Sequence, residues 1–188
     1  MTTYIGIDVG LDGAIAAICD GELGPLLFPM PTFTVESRRS GGKKHRVMDA
    51  AGVMDTIETL RLHQRDIHVL IETAQLRPAM IASGHVCPRC GKEHMFAGQG
   101  LASQAEFIGQ FREIRGILRG LGIPFDEVHP ATWKKDVFHG RSEKMDARIL
   151  AGQLYPSVAP KMALKKNDGL AEALLIADYL KRHRTAPF

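Results

Sequence analysis

The most constraining feature of this sequence is a carboxylate set into an alternating apolar strand near its start. Residues 4–10 read Tyr-Ile-Gly-Ile-Asp-Val-Gly, the period-two pattern of a β-strand with two unlike faces. An unpaired charge is costly to bury, so we expect a cation against Asp8. The flanking Gly6 and Gly10 would let a bulky ligand approach. The alternative is a strand-end Asp bonded to backbone amides.

Length and composition are those of an ordinary globular protein. The 188 residues are 45% apolar and 24% charged, with a net charge of +3, which predicts one domain over residues 1–188. The charge is compatible with nucleic acid without requiring it. No apolar run reaches the ~18 residues of a membrane span, and since the first residues lack a basic-then-apolar pattern we expect no signal segment. Three cysteines suit a reducing compartment, so we expect a cytoplasmic protein.

Turn signals divide the first thirty residues into short strands. Turns at 11–13 and 20–21 separate runs at 4–10, 13–19 and 24–28, which predicts a meander of three antiparallel strands.

A second carboxylate follows a continuous apolar run at residues 67–71. Such a run is typical of a strand buried on both faces and parallel to its neighbour. Sites gather at the carboxyl ends of parallel strands, which makes Glu72 a candidate site residue. Another strand is predicted at 123–128. Trp133 beyond it is either a core anchor or, with the adjacent lysines, a nucleic-acid contact.

Residues 34–46 have no apolar periodicity and are predicted to be a loop. The loop is rich in positive charge. It is either a solvated mobile loop or an arm that contacts phosphates, and the sequence does not decide between them.

Residues 77–100 form an inserted loop with four potential metal ligands: His85, Cys87, Cys90 and His94. The Cys-Pro-Arg-Cys-Gly turn can present two thiolates to one ion, which predicts a structural zinc knuckle. A redox pair and an unliganded loop are the alternatives.

Helical spacing of apolar residues predicts helices at 47–64, 101–121 and 142–154. A last helix begins at Asn167 and carries Asp168 and Glu172 four residues apart, hence on one face. The alternative is a capping Asp and a Glu paired with Lys165 or Lys166.

Four acids therefore stand out: Asp8, Glu72, Asp168 and Glu172. Converging at one sheet edge, they would bind two Mg²⁺ or Mn²⁺ ions. Two such ions ~4 Å apart activate a water and stabilise the leaving oxygen in phosphodiester hydrolysis.

The segments Ile-Gly-Ile-Asp8-Val-Gly, Ile-Glu72 and Asn-Asp168-Gly-Leu-Ala-Glu172-Ala-Leu resemble the RuvC-type Holliday junction resolvases, with a bacteriophage-like character. The resemblance implies an α/β, RNase H-like fold: a five-stranded mixed sheet, three antiparallel strands and two parallel, flanked by helices. It implies a homodimer that nicks a four-way DNA junction symmetrically, leaving 5′ phosphates. The sequence departs from the bacterial pattern in the spacing of the last two acids and in the Cys/His insertion.

Basic residues near these segments are predicted DNA contacts, with Lys134 and Lys166 as phosphate contacts or transition-state helpers. The full set is Arg38, Arg39, Lys43, Lys44, Arg77, Lys134, Lys135, Lys165 and Lys166. Two other functions are weighed: a catalytically silent branched-DNA-binding module, and a fragment of an actin-like or sugar-kinase-like phosphotransferase. The second needs two domains around a nucleotide cleft, more than this chain can supply.

Overall fold

The computed structural model describes residues 2–21, 24–37, 42–62, 66–74, 80–97, 101–139 and 146–185. Two short 3-10 turns, Pro156–Met162 and Lys165–Asn167, precede the last helix. The strands and α-helices are β1 (Thr2–Asp8), β2 (Ala14–Cys19), β3 (Leu26–Pro29), β4 (Thr32–Ser37), β5 (Lys43–Met48), α1 (Ala50–Leu62), β6 (Asp66–Glu72), β7 (Met80–Val86), β8 (Glu93–Ala97), α2 (Leu101–Gly120), β9 (Phe125–Val128), α3 (Pro130–Val137), α4 (Ala147–Leu154) and α5 (Asp168–Thr185).

The central sheet has five strands in the order β3-β2-β1-β6-β9. The pairs β1–β2 and β2–β3 are antiparallel, whereas β1–β6 and β6–β9 are parallel. This confirms the antiparallel meander predicted from the turn signals and the five-stranded mixed sheet that the resemblance implied. Because β1, β6 and β9 are parallel neighbours, their carboxyl ends lie side by side at the same end of the sheet.

Helices cover both faces of the sheet. Successive side chains of β1 point to opposite faces, so they belong alternately to two hydrophobic cores. Ile5 and Ile7 pack with the buried stripes of α1 and α2. Tyr4, on the other face, packs with α5 and its neighbours. Gly6 and Asp8 alternate in step with Tyr4, so Asp8 lies on the α5 face.

Gly6 is the point of closest approach between β1 and α5. A methyl group there would overlap the carbonyl oxygen of Ala173 and the amide nitrogen of Ala177. The expectation that this glycine makes room for a ligand is therefore wrong. It makes room for a helix, because only a residue without a side chain lets the helix backbone come so close.

Residues 34–46 contain strand structure, which corrects the predicted loop. Strands β4 and β5 pair antiparallel, and Glu36 lies opposite Lys44 in an ion pair of 3.4 Å. Most described side chains of this hairpin are exposed. Without a buried face the sequence has no apolar alternation, and this is why periodicity missed the two strands.

One predicted helix begins later than expected, and the structure decides between the two interpretations of Trp133. The helix predicted at 47–64 corresponds to α1. It begins only at Ala50, because residues 47 and 48 are the last two residues of β5. The helix predicted at 142–154 is described from Ala147, with Asp146 as its cap, and residues 140–145 lie outside the described part. Trp133 is fully buried and so is a core anchor.

The inserted segment also contains a hairpin, formed by β7 and β8 with an irregular register between Ala82 and Val86. None of the helices in the described ranges is long and apolar enough to cross a membrane.

Replacing Gly6 by alanine tests the packing of α5 on β1. We expect Gly6→Ala to lower the free energy of unfolding by about 1–3 kcal/mol or more, because two backbones must separate. Gly109→Ala is the matched control: this exposed glycine of α2 has open space around it, so alanine should stabilise the helix by up to about 1 kcal/mol. Urea unfolding measures both, and equal effects at the two positions would contradict the packing argument.

Candidate active site

The parallel register of β1 and β6 brings two carboxylates together. Ile7 pairs with Ile71, so the next residues, Asp8 and Glu72, are neighbours at the carboxyl ends of their strands. Both side chains are half-buried. The sequence assigned these acids to two strand ends, and the register makes them adjacent.

The third acid comes from α5. A methyl group on Gly169 would overlap the carbonyl oxygen of Asp12, so the first turn of the helix rests directly on the β1–β2 turn. One helical turn further on, Glu172 reaches the two strand ends. Ligand oxygens of Asp8, Glu72 and Glu172 all lie within 4.8 Å of one another.

Lys134 is the cation that meets this cluster. His129 caps α3, its Nδ1 accepting a hydrogen bond from the Ala131 amide at 3.0 Å. One turn later, Lys134 Nζ lies 2.9 Å from Glu172 Oε1 and 5.1 Å from the centre of the Trp133 ring. The capped helix therefore positions an ammonium group beside the three carboxylates.

Electrostatics at the cluster favour added positive charge. Desolvation, then repulsion from Glu172 and Glu72, raises the pKa of Asp8 well above its usual range. Desolvation also raises the pKa of Glu72, although Lys134 opposes the shift. Desolvation would lower the pKa of Lys134, but its hydrogen bond to Glu172 and the surrounding carboxylates outweigh that cost and raise it. Three acids and one lysine leave an excess of negative charge.

Two polar atoms beside the carboxylates are unsatisfied. The indole nitrogen of Trp133 and the hydroxyl of Thr73 are buried and have no hydrogen-bond partner within the described residues. The Trp133 N–H is nonetheless close enough to Glu72 to favour its charged form. Three half-buried carboxylates fit a hard divalent cation, for which oxygen ligands are preferred, whereas the indole N–H can only donate and is not a ligand for a cation.

The fourth predicted acid, Asp168, is held elsewhere. Its Oδ1 lies 2.8 Å from Nε of Arg148, which also pairs with Asp146. Half of the Asp168 side chain is exposed (51%), and it is not one of the three acids in the cluster. The structure therefore brings together three of the four predicted acids, and the fourth lies one helical turn away from Glu172.

The lysine partner of Glu172 is neither of the two named in the alternative explanation of this acid. Lys165 and Lys166 are exposed in the 3-10 turn before α5, whereas the ion pair is made by Lys134. Arg148 was not identified from the sequence. Nothing local marks it, because its contact with Asp168 joins residues twenty positions apart.

The other predicted DNA contacts are spread over several elements. Lys44 and Lys135 are exposed. Lys43 belongs to β5, but its side chain is not among the described atoms, and Arg38, Arg39 and Arg77 lie outside the described ranges. Arg46 is a further basic residue of the segment at 34–46. It pairs with Asp12 at 2.8 Å and donates to the carbonyl of Leu11, which anchors β5 beside the β1–β2 turn.

Comparison with solved structures finds the same fold. The structure of Thermus thermophilus RuvC is 16% identical, over 98% of this chain and 98% of that one, with a TM-score of 0.51. T. thermophilus RuvC in complex with Holliday junction substrate is 16% identical over 99% and 98%, with a TM-score of 0.52. No protein-family model and no curated protein matches the sequence. The chain has a RuvC-like, RNase H-like fold.

Removing the charge of Asp8 should stabilise the protein when divalent ions are absent. Asp8→Asn relieves both desolvation and repulsion, and about 1 kcal/mol of relief would raise the Tm by about 2–4 °C in a chain of this size. Thermal unfolding in chelator measures the change. Added Mg²⁺ should raise the Tm of the original protein and leave that of the variant nearly unchanged.

The effect of Asp8→Asn on stability should also depend on pH. Because the pKa of Asp8 is raised on folding, its protonation stabilises the folded state, and this contribution is lost as pH rises through the raised pKa. The stability advantage of Asp8→Asn in chelator should therefore be greatest at neutral pH and shrink on acidification. An advantage independent of pH would contradict the electrostatic explanation.

Proposed function

We propose that this protein is a divalent-metal-dependent endonuclease that resolves four-way DNA junctions by paired symmetric nicks. The observation that carries the proposal is the group of three carboxylates at the carboxyl ends of two parallel strands and on α5. The RuvC-like fold supports the substrate class, because a solved structure of T. thermophilus RuvC contains Holliday junction substrate.

The carboxylates Asp8, Glu72 and Glu172 would hold Mg²⁺ or Mn²⁺, with Asp168 completing a site for two ions. Bound there, the ions would supply Lewis acidity and an activated water for in-line hydrolysis that leaves a 5′ phosphate. The protein itself would contribute in two ways. The acids fix the positions of the ligand oxygens, and the buried surroundings keep them close despite their repulsion.

Lys134 has a different role with and without metal. In the structure it neutralises part of the charge on Glu172. When divalent ions balance that charge, its ammonium group is available to the scissile phosphate, where positive charge stabilises the transition state. Lys166, before the start of α5, is proposed as a second phosphate contact.

The remaining basic residues are proposed to position the DNA backbone. Lys44 lies on the hairpin that Arg46 anchors beside the β1–β2 turn, and this position supports a contact between Lys44 and the DNA backbone. Phosphate contacts of this kind set register and make binding salt-dependent. The other proposed contacts are Arg38, Arg39, Lys43, Arg77, Lys135 and Lys165.

We further propose that two copies of the chain act as a homodimer, since paired nicks on opposed strands need two sites. A cytoplasmic location, in a bacterium or a phage-infected host, and a role in recombination or repair of DNA follow from this substrate.

Junction cleavage tests the proposal. A labelled four-way junction should be nicked at two symmetric positions in Mg²⁺ and not in chelator, while linear duplex of the same sequence stays intact. Asp8→Asn, Glu72→Gln and Glu172→Gln should each lower the rate by about a thousandfold or more, because each removes a charge that holds metal.

Asp66→Asn is the matched control, since this acid begins the strand that Glu72 ends. It should cleave at close to the normal rate. If the protein binds the junction tightly but does not nick it in the presence of metal, the proposed nuclease activity is wrong. The protein would then be a catalytically silent module that binds branched DNA. Nicking unaffected by Asp8→Asn would place the chemistry elsewhere.

The role of Asp168 has its own test. If Asp168 is a ligand, its ion pair with Arg148 competes with metal, and Arg148→Ala should lower the Mg²⁺ concentration for half-maximal nicking several-fold. That gain should vanish in the Asp168→Asn background.

The control for this test is Asp146→Asn, which removes the other acidic partner of Arg148 and keeps a side chain able to cap α4. Because the Asp168–Arg148 pair stays in place, this variant should not lower the Mg²⁺ requirement. A requirement that Arg148→Ala also fails to lower would show that Asp168 is a structural partner only.

A further inference from the structure

The turn that joins β7 to β8 is built as a tight knuckle around two cysteines. The Cys87 amide donates to the carbonyl of Lys92 at 2.8 Å, and the Gly91 amide donates to the carbonyl of Cys87 at 2.9 Å. Gly91 has a φ of 66°, a conformation that glycine adopts without steric cost. These features fold residues 87–92 back on themselves, with Cys87 and Cys90 in the same turn.

The sulfur of Cys87 lies among donors. It receives hydrogen bonds from the backbone amides of Arg89 and Cys90, and the Cys90 thiol also lies within hydrogen-bonding reach. The two cysteines are unbonded to each other. A turn of this kind can present two thiolates to one metal ion.

The pairing of β7 with β8 places two histidines, at positions 85 and 94, next to the turn formed by residues 87–92. Val86 pairs with Glu93, and the next paired positions are Ala82 and Met95. Position 94 is therefore the only residue of β8 between the two paired stretches, and it lies opposite positions 83–85 of β7. Residues 85 and 94 each lie one position beyond the Val86–Glu93 pair, on the side away from the turn. The backbone thus gathers two cysteines and two histidines at one end of the hairpin.

The knuckle has no apolar core of its own. Val86, Pro88 and Arg89 are exposed, as are all residues from Cys90 to Glu93. A two-stranded hairpin is marginally stable in water by itself, and the described side chains at this end add almost no buried apolar surface. A metal ion is the usual substitute for a core in such small elements. A redox pair would use the two cysteines and give the two histidines no role.

We propose that Cys87, Cys90, His85 and His94 bind one zinc ion, which closes the end of the β7–β8 hairpin. Two thiolates and two imidazoles are a common ligand set for tetrahedral zinc. The ion is structural, since all four positions of a tetrahedron are filled by the protein. This site is separate from the carboxylate cluster and does not depend on the proposed nuclease activity.

Metal analysis of the full-length protein tests the site. Protein purified without added metal should contain one zinc per chain, resistant to brief dialysis. After removal of zinc, Co²⁺ should bind at the same stoichiometry and give the visible bands of a tetrahedral site together with thiolate-to-cobalt charge transfer.

Variants locate the ion. Cys87→Ser and His94→Ala should each weaken zinc binding about tenfold or more in competition with a chelating dye. The matched control is Cys19→Ala, which alters the remaining cysteine, a buried residue of β2 whose sulfur accepts from the Thr3 hydroxyl at 3.4 Å. It should retain full zinc content, and so should Asp8→Asn, which separates this proposal from the nuclease.

Hydrogen exchange gives a second readout. Chelation should increase exchange in residues 80–97 and leave β1 and β2 protected, because the main sheet has its own core. Substoichiometric zinc, a Cys87–Cys90 disulfide in place of metal, or zinc lost in Asp8→Asn and kept in Cys87→Ser would each overturn the proposal.

Discussion

The close contact between α5 and β1 is the constraint on which the candidate site depends. Gly6 lets the helix backbone approach the central strand, and Gly169 lets its first turn rest on the β1–β2 turn. These two contacts fix where Glu172 lies relative to Asp8. The parallel register of β1 and β6 then adds Glu72. A single helix-on-sheet packing arrangement thus assembles carboxylates that come from three distant parts of the chain.

The assembly is electrostatically costly, and the protein offsets only part of that cost. Asp8 and Glu72 are pushed toward their protonated forms by desolvation and by neighbouring acids, while Lys134 supplies one positive charge to Glu172. Packing in the two cores holds the acids together against this repulsion. Electrostatic repulsion of this kind is typical of sites that gain their full stability from a bound ligand. A divalent cation is the ligand that these carboxylate oxygens suit.

The sequence predicted well whatever depends on one strand or one helix at a time. The alternation around Asp8, the buried run before Glu72 and the i, i+4 spacing of Asp168 and Glu172 each follow from local periodicity. The sequence did not show contacts between residues far apart in the chain: the pairing of Lys134 with Glu172 and the ion pair of Asp168 with Arg148. It also left two interpretations of Trp133, and the burial of this residue decides for the core anchor. The β4–β5 hairpin was missed because both its faces are largely solvated. Gly6 was assigned to ligand access because a sequence does not show which backbone passes nearby.

The account rests on a divalent ion being bound between Asp8, Glu72 and Glu172, and anomalous diffraction tests this most directly. Crystals soaked in Mn²⁺ should give an anomalous peak in contact with all three carboxylates, with Lys134 displaced from Glu172. The Asp8→Asn protein, treated identically, should lack that peak. Crystals without a peak at the three acids, with the Lys134–Glu172 pair intact at high Mn²⁺, would contradict the account and leave the cluster as a purely structural network.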